Sequence, residues 1–174
     1  METDRKVQTI AKVTKVFVPV LIAVAIVVIW HIKTGEEQTA GPSPQESGLI
    51  ASKADLPKWK AYGLPVIVAF GRGADPASKE MLPVLMDLNA EYRGRALIKY
   101  VDLAEYPDAD GDFPVPVVPA LFFFDKDGGP YVPGDPQAMG MTMHSDGGDH
   151  VLTVHLGGMN ARQIRAVLAE MGVQ

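Results

Sequence analysis

Three groups of residues in this chain have the types and spacing for chemistry. The first is Met139-Gly-Met141-Thr-Met143-His144, followed by Asp146, Asp149, His150 and His155. Alternate residues of an extended segment share one face, and thioether with imidazole is the donor set that suits Cu(I). Methionine also fills irregular gaps, and His144 and His150 flank a Ser-Asp-Gly-Gly-Asp turn, so the competing reading is a hairpin packed by methionine. The second group, Asp108-Ala-Asp110-Gly-Asp112, has the outline of a calcium loop. Its glycine is misplaced and Pro119 stands where the bidentate glutamate belongs, so it reads as a solvated turn. The third is Asp75-Pro76-Ala77-Ser78. Aspartate before proline is a helix start: the carboxylate accepts from the N–H of Ala77 or Ser78, and proline is tolerated at the first helical position. Ser78 as a nucleophile needs a base, and no histidine lies in the neighbouring segments.

What is missing narrows the chemistry further. The 174 residues include no cysteine, which excludes disulfides, zinc–thiolate sites, iron–sulfur clusters and any dithiol cycle. A formal charge of −5, from 16 basic and 21 acidic residues, argues against nucleic acid as a partner. The length fits one domain with an appendage. With 47% hydrophobic residues the chain is too apolar for disorder, while 17 Gly and 14 Pro predict many turns.

The appendage is the amino-terminal part. Residues 16–32 read VFVPVLIAVAIVVIWHI, apolar except for His31, and as a helix they extend roughly 26 Å, enough to cross a bilayer core. Arg5, Lys6, Lys12 and Lys15 precede the run, whereas Lys33 is followed by Glu36 and Glu37. The positive-inside bias therefore predicts a cytoplasmic tail over 1–15, a single-pass signal anchor over 16–32, and the rest of the chain outside the cytoplasm, in the periplasm or beyond the cell. No small-x-small cleavage site follows closely, so the anchor is expected to be retained. Residues 33–48 read as a flexible linker. Beyond residue 32 the chain holds 12 basic and 19 acidic residues, a charge of −7 that serves solubility.

Residues 49–174 alternate in period. Leu49, Ile50, Leu56 and Trp59 give a weak helical signal broken by Pro57; Pro65 to Phe70 is a short apolar run, read as a buried strand. Met81, Leu85, Leu88 and Tyr92 mark a helix from Pro76 to Tyr92. Further strands are expected over Ala96–Asp102 and Ala120–Asp125, with Val151–Leu156 alternating like an exposed or edge strand. A last helix, Asn160 to Met171, has Asn160 as cap and Gln163 completing a capping box. Strand–helix–strand followed by two strands and a helix is an α/β sandwich with a mixed sheet.

At these residues the chain resembles the thioredoxins. Phe70-Gly-Arg-Gly-Ala-Asp-Pro-Ala-Ser-Lys-Glu-Met-Leu-Pro83 is similar to their active-site segment, a strand ending in Phe, a loop, C-x-x-C, Lys, and a helix with an internal proline. Asp75 and Ser78 stand in the two cysteine positions, and Val118-Pro119-Ala120 matches the hydrophobic residue and cis-proline that face the redox pair. Tyr92-Arg-Gly, Lys99-Tyr-Val-Asp102 and Leu121-Phe-Phe-Phe-Asp125 also fit, so the likeness spans roughly residues 49–172 and is nearest a bacterial, membrane-anchored group with an insert before the last strand. The resemblance implies a thioredoxin-like α/β fold, a mixed central sheet flanked by helices, behind the transmembrane helix.

The departures from that pattern bear on function. Thioredoxin chemistry needs a thiolate at a helix amino terminus and a second thiol to resolve the mixed disulfide. Neither exists, and Ala69 replaces the family's buried proton-transfer aspartate. The degenerate segment is therefore expected to be redox-inactive, with no enzyme activity, no cofactor and no metal. In the family, the cis-proline loop pairs with extended peptides, so the surface of Asp75, Pro76, Ala77, Ser78, Val118 and Pro119 is the expected docking site for an extracytoplasmic protein or peptide. Two alternatives stand beside this reading. One is an oxidoreductase-associated role in cell redox homeostasis with a partner that supplies every thiol; the other is copper handling by the Met/His segment.

Overall fold

Apolar side chains on both faces make a strand that must lie between two layers, and Val66–Gly71 (β1) is such a strand, buried at all six positions. The computed structural model describes residues 42–43 and 46–174. The tail over 1–15, the span over 16–32 and most of the linker lie outside the described residues, among which no helix is long and apolar enough to cross a membrane.

In chain order the elements are α1 (Leu56–Lys60), β1, α2 (Pro76–Glu91), β2 (Leu97–Asp102), β3 (Ala120–Phe124), β4 (Met141–Asp146), β5 (Asp149–Leu156) and α3 (Ala161–Glu170). They build one five-stranded sheet in the order β2-β1-β3-β5-β4. β1 runs parallel to β2, with Val66 opposite Leu97, and antiparallel to β3, with Val66 opposite Phe124. Strand–helix–strand, a connection carrying a cis Val118–Pro119 bond, then antiparallel strands and a closing helix is the thioredoxin-like arrangement that the landmarks implied.

The pleat divides the core in two. Ile67, Ala69, Leu121 and Phe123 point to one face and pack with Met81, Leu85 and Leu88 of α2 and Ile164, Val167 and Leu168 of α3. Val66, Val68, Phe70, Phe122 and Phe124 point to the other, with Trp59 of α1. There Phe113, from the long β2–β3 connection, sets its ring 5.1 Å from Phe70 and 4.8 Å from Phe122, so a loop does part of a helix's covering work.

Three expectations are corrected. Pro57 does not break a helix but sits in the first turn of α1, capped by Asp55, where its missing N–H is no loss. Leu49 and Ile50 are not helical; the Tyr100 amide donates to the Leu49 carbonyl, and Ile50 bridges in parallel to Tyr100 along the free edge of β2. The segment over Val151–Leu156 is not an edge strand, because Met141–Asp146 forms an additional strand outside it. Thr153 is consequently fully buried, its hydroxyl donating to the Tyr131 carbonyl.

Candidate functional site

Asp75 caps α2 as its residue type dictates. Its backbone is extended, and one carboxylate oxygen accepts from the Ser78 amide at 2.7 Å. That amide first, then the Ser78 hydroxyl and the Ala77 amide, hold the Asp75 carboxyl below its ordinary pKa. Pro76 opens the helix, and Pro83 lies inside it. Ser78 is buried, and its oxygen also accepts from the Arg72 amide at 3.3 Å. The described histidines lie on β4 and β5, and none of them hydrogen-bonds to Asp75 or Ser78, whose oxygens accept from backbone amides.

A second layer supports the loop, and sequence reading did not find it. Asp102, at the end of β2, accepts from the amides of Gly73 at 3.2 Å and Ala104 at 2.8 Å, while Leu103 donates to the Gly71 carbonyl. Tyr100 lies beneath. It pairs with Ala69, and a Cβ added at Gly71 would stand 2.4 Å from its hydroxyl oxygen. Burial first, then the charges of Asp102 and Asp75, push its phenol up to about 12, so it stays protonated. The only signal for this layer is the ALIKYVD run, whose register against β1 (Ala69 opposite Tyr100, Gly71 opposite Asp102) appears only once the strands pair.

The cis Val118–Pro119 bond begins β3, and the Gly157 amide donates to the Pro119 carbonyl at 2.8 Å. Gly158 joins the pieces: a Cβ placed there would lie 3.8 Å from the Ala77 carbonyl oxygen and 4.0 Å from Pro119 Cγ. The start of α2 and the proline loop thus meet across a glycine that sequence reading did not single out. Beside them opens a cleft of about 390 Å³ lined by residues that include Ala77, Met81, Val84, Gly158 and Met159. Val117 is half-exposed, and the backbone amide and carbonyl of Val118 make no hydrogen bond among the described residues. An unpaired backbone donor and acceptor at the surface can pair with the backbone of another chain.

The Asp108–Asp112 segment is a run of turns, and among the described residues no group of three or more His, Asp or Glu is placed to hold a metal ion. The Met/His set is split. Met141 and Met143 lie opposite His155 and Thr153, whereas His144 lies opposite Leu152 on the other face.

No protein-family model matches the chain, and no curated protein matches it. Among solved structures, the chain is similar to chloroplastic thioredoxin z at 15% identity and a TM-score of 0.49, over 72% of this chain and 95% of that one. It is also similar to the Malassezia sympodialis thioredoxin Mala s 13 at 14% identity and a TM-score of 0.47, over 71% and 89% of the two chains.

Proposed function

We propose that this chain is a membrane-tethered, thioredoxin-like binding module that holds an extended polypeptide outside the cytoplasm and carries out no disulfide exchange of its own. The observation that carries the reading is the unpaired Val118 backbone beside cis-Pro119, set against the start of α2. Asp75 and Ser78 at the two cysteine positions support the loss of chemistry, since their oxygens are engaged by backbone amides. The apolar run over 16–32 and its basic flank support the tether.

The test has two arms. A photo-crosslinker at Val117, in intact membranes, is expected to capture a polypeptide that the same crosslinker at exposed Lys126 does not; equal capture at both positions overturns the binding half. Insulin reduction is expected from the Asp75→Cys/Ser78→Cys variant and not from the native chain. Turnover by the native chain would overturn the redox-inactive half and favour the oxidoreductase-associated alternative.

A further inference from the structure

The peptide cleft makes no use of the Met/His group, and strand pairing sorts that group by face. Directly opposed residues carry their Cβ atoms on one side, about 4.5–5.5 Å apart. Met141 is opposite His155 and Met143 opposite Thr153, so two thioethers and one imidazole share a face. His144, on the other face, lines an apolar groove with Pro114, Val115 and Val154.

The remaining donors differ in what already engages them. His150 Nε2 lies 3.0 Å from the Leu152 carbonyl and 2.9 Å from Thr153 Oγ1. The carbonyl can only accept, and the Thr153 hydroxyl is already donating to Tyr131, so this nitrogen is a donor to both. The Met139 sulfur lies 3.8 Å from the Tyr131 hydroxyl, whose one proton goes to the Glu170 carboxylate.

His155 is arranged otherwise. Its Nδ1 lies 3.3 Å from the Met139 carbonyl oxygen, which can only accept, so Nδ1 is the donor and Nε2 is the nitrogen left to ligate a metal. Gly140 permits this approach: its φ is +63°, and a Cβ there would stand 3.2 Å from His155 Cε1. Histidine ligands of metals are oriented in this manner, with the second nitrogen donating to a carbonyl. His155 is partly buried and Met141 packs into the core, so an ion would enter past Met143, which is 37% exposed. Two thioethers with one imidazole form a soft donor set without a carboxylate, which selects Cu(I) over calcium or magnesium.

We propose that the β4–β5 hairpin binds one Cu(I) ion through Nε2 of His155 and the sulfurs of Met141 and Met143. The inference is independent of the peptide-binding reading, because none of the three residues lines the cleft beside Pro119.

The test uses the full chain in detergent with ascorbate, competing for Cu(I) against the coloured chelator bicinchoninate. One ion per chain is expected. His155→Gln and the volume-conserving pair Met141→Leu/Met143→Leu should each weaken binding about tenfold or more, the scale seen for perturbed metal sites. His144→Gln, on the opposite face, and Met86→Leu, an exposed methionine on α2, should leave binding unchanged. Met143→Leu alone, at a half-exposed position, supplies the same readout without touching the core. X-ray absorption of the loaded chain should show sulfur and nitrogen around copper. Failure to draw copper from the chelator, or native affinity in both His155→Gln and Met143→Leu, overturns the proposal.

Discussion

Asp75 meets a demand that a thiolate would meet differently. Both place negative charge at the amino terminus of α2, where unpaired amides and the helix dipole favour it, but a carboxylate uses that charge to cap and has no sulfur to exchange. Its role can be read from pH. The Ser78 and Ala77 hydrogen bonds lower the folded-state pKa, so their contribution is fully present above the ordinary carboxyl value and is lost as pH falls through the lower, folded value. Asp75→Asn retains a cap oxygen but not the charge. The stability difference between native chain and variant should therefore stay level from neutral pH to about pH 4 and shrink below it. Urea midpoints at several pH values measure this; a difference that stays constant down to about pH 2 would show that the charge contributes nothing at this position.

Among the elements, legibility follows how much of each is specified within its own few residues. The last helix is readable because cap, capping box and apolar stripe are all local; Asn160 and Gln163 exchange hydrogen bonds at 2.9 and 3.0 Å as their types predict. The α2 start is readable for the same reason, whereas the proposed docking surface of Asp75–Ser78, Val118 and Pro119 came from the family likeness as a whole. β4 was hidden because Met-Thr-Met-His-Ser-Asp is polar and exposed at every position after Met141, and becomes a strand only by pairing with β5. The loop support by Tyr100 and Asp102 was hidden because it depends on register between strands far apart in sequence. That support yields a prediction about two adjacent strands. Gly71→Ala pushes a methyl group into the Tyr100 ring, with ring atoms at 2.7 and 2.8 Å, and the ring is buried and confined. The substitution should cost about 1–3 kcal/mol, the range for overpacking. In a Tyr100→Leu background the same change should cost clearly less, since contacting residues are not additive. Equal costs in both backgrounds, from denaturant unfolding, would mean that the glycine is needed for some other reason.

For the whole molecule, the point at issue is how the segment leading from the expected tether meets the folded domain. Glu46 to Ile50 lie along the free edge of β2: Ile50 bridges to Tyr100, Ala51 donates to the Tyr100 carbonyl at 2.9 Å, and Asn89 of α2 donates to the Ser47 carbonyl at 3.1 Å. At the centre is Lys99, only 3% exposed, whose ammonium donates to the carbonyls of Glu46 and Gly48 above the Trp59 ring. Burial lowers its pKa, which is a cost, since the folded state disfavours the charge that the unfolded chain carries freely. The two carbonyl bonds offset that cost by fastening the strap, and the strap in turn covers a strand edge that would otherwise stand open to another chain. Outside it, Lys58 pairs with Glu46 at 2.7 Å and, with Tyr62 and Ser43, holds the Glu46 carboxyl down at about 2. Replacing the ammonium with an apolar chain of similar length separates cost from benefit. Lys99→Met removes the buried charge, so global stability should change little, while the strap loses its fastening. Amide exchange at Ala51 and Tyr100 should then accelerate about tenfold or more, the weight of a charge-assisted hydrogen bond, with β1 amides unaffected. Uniform acceleration across β1 and β2 would assign Lys99 to the stability of the whole fold, and unchanged exchange at Ala51 would leave the strap held by its backbone alone.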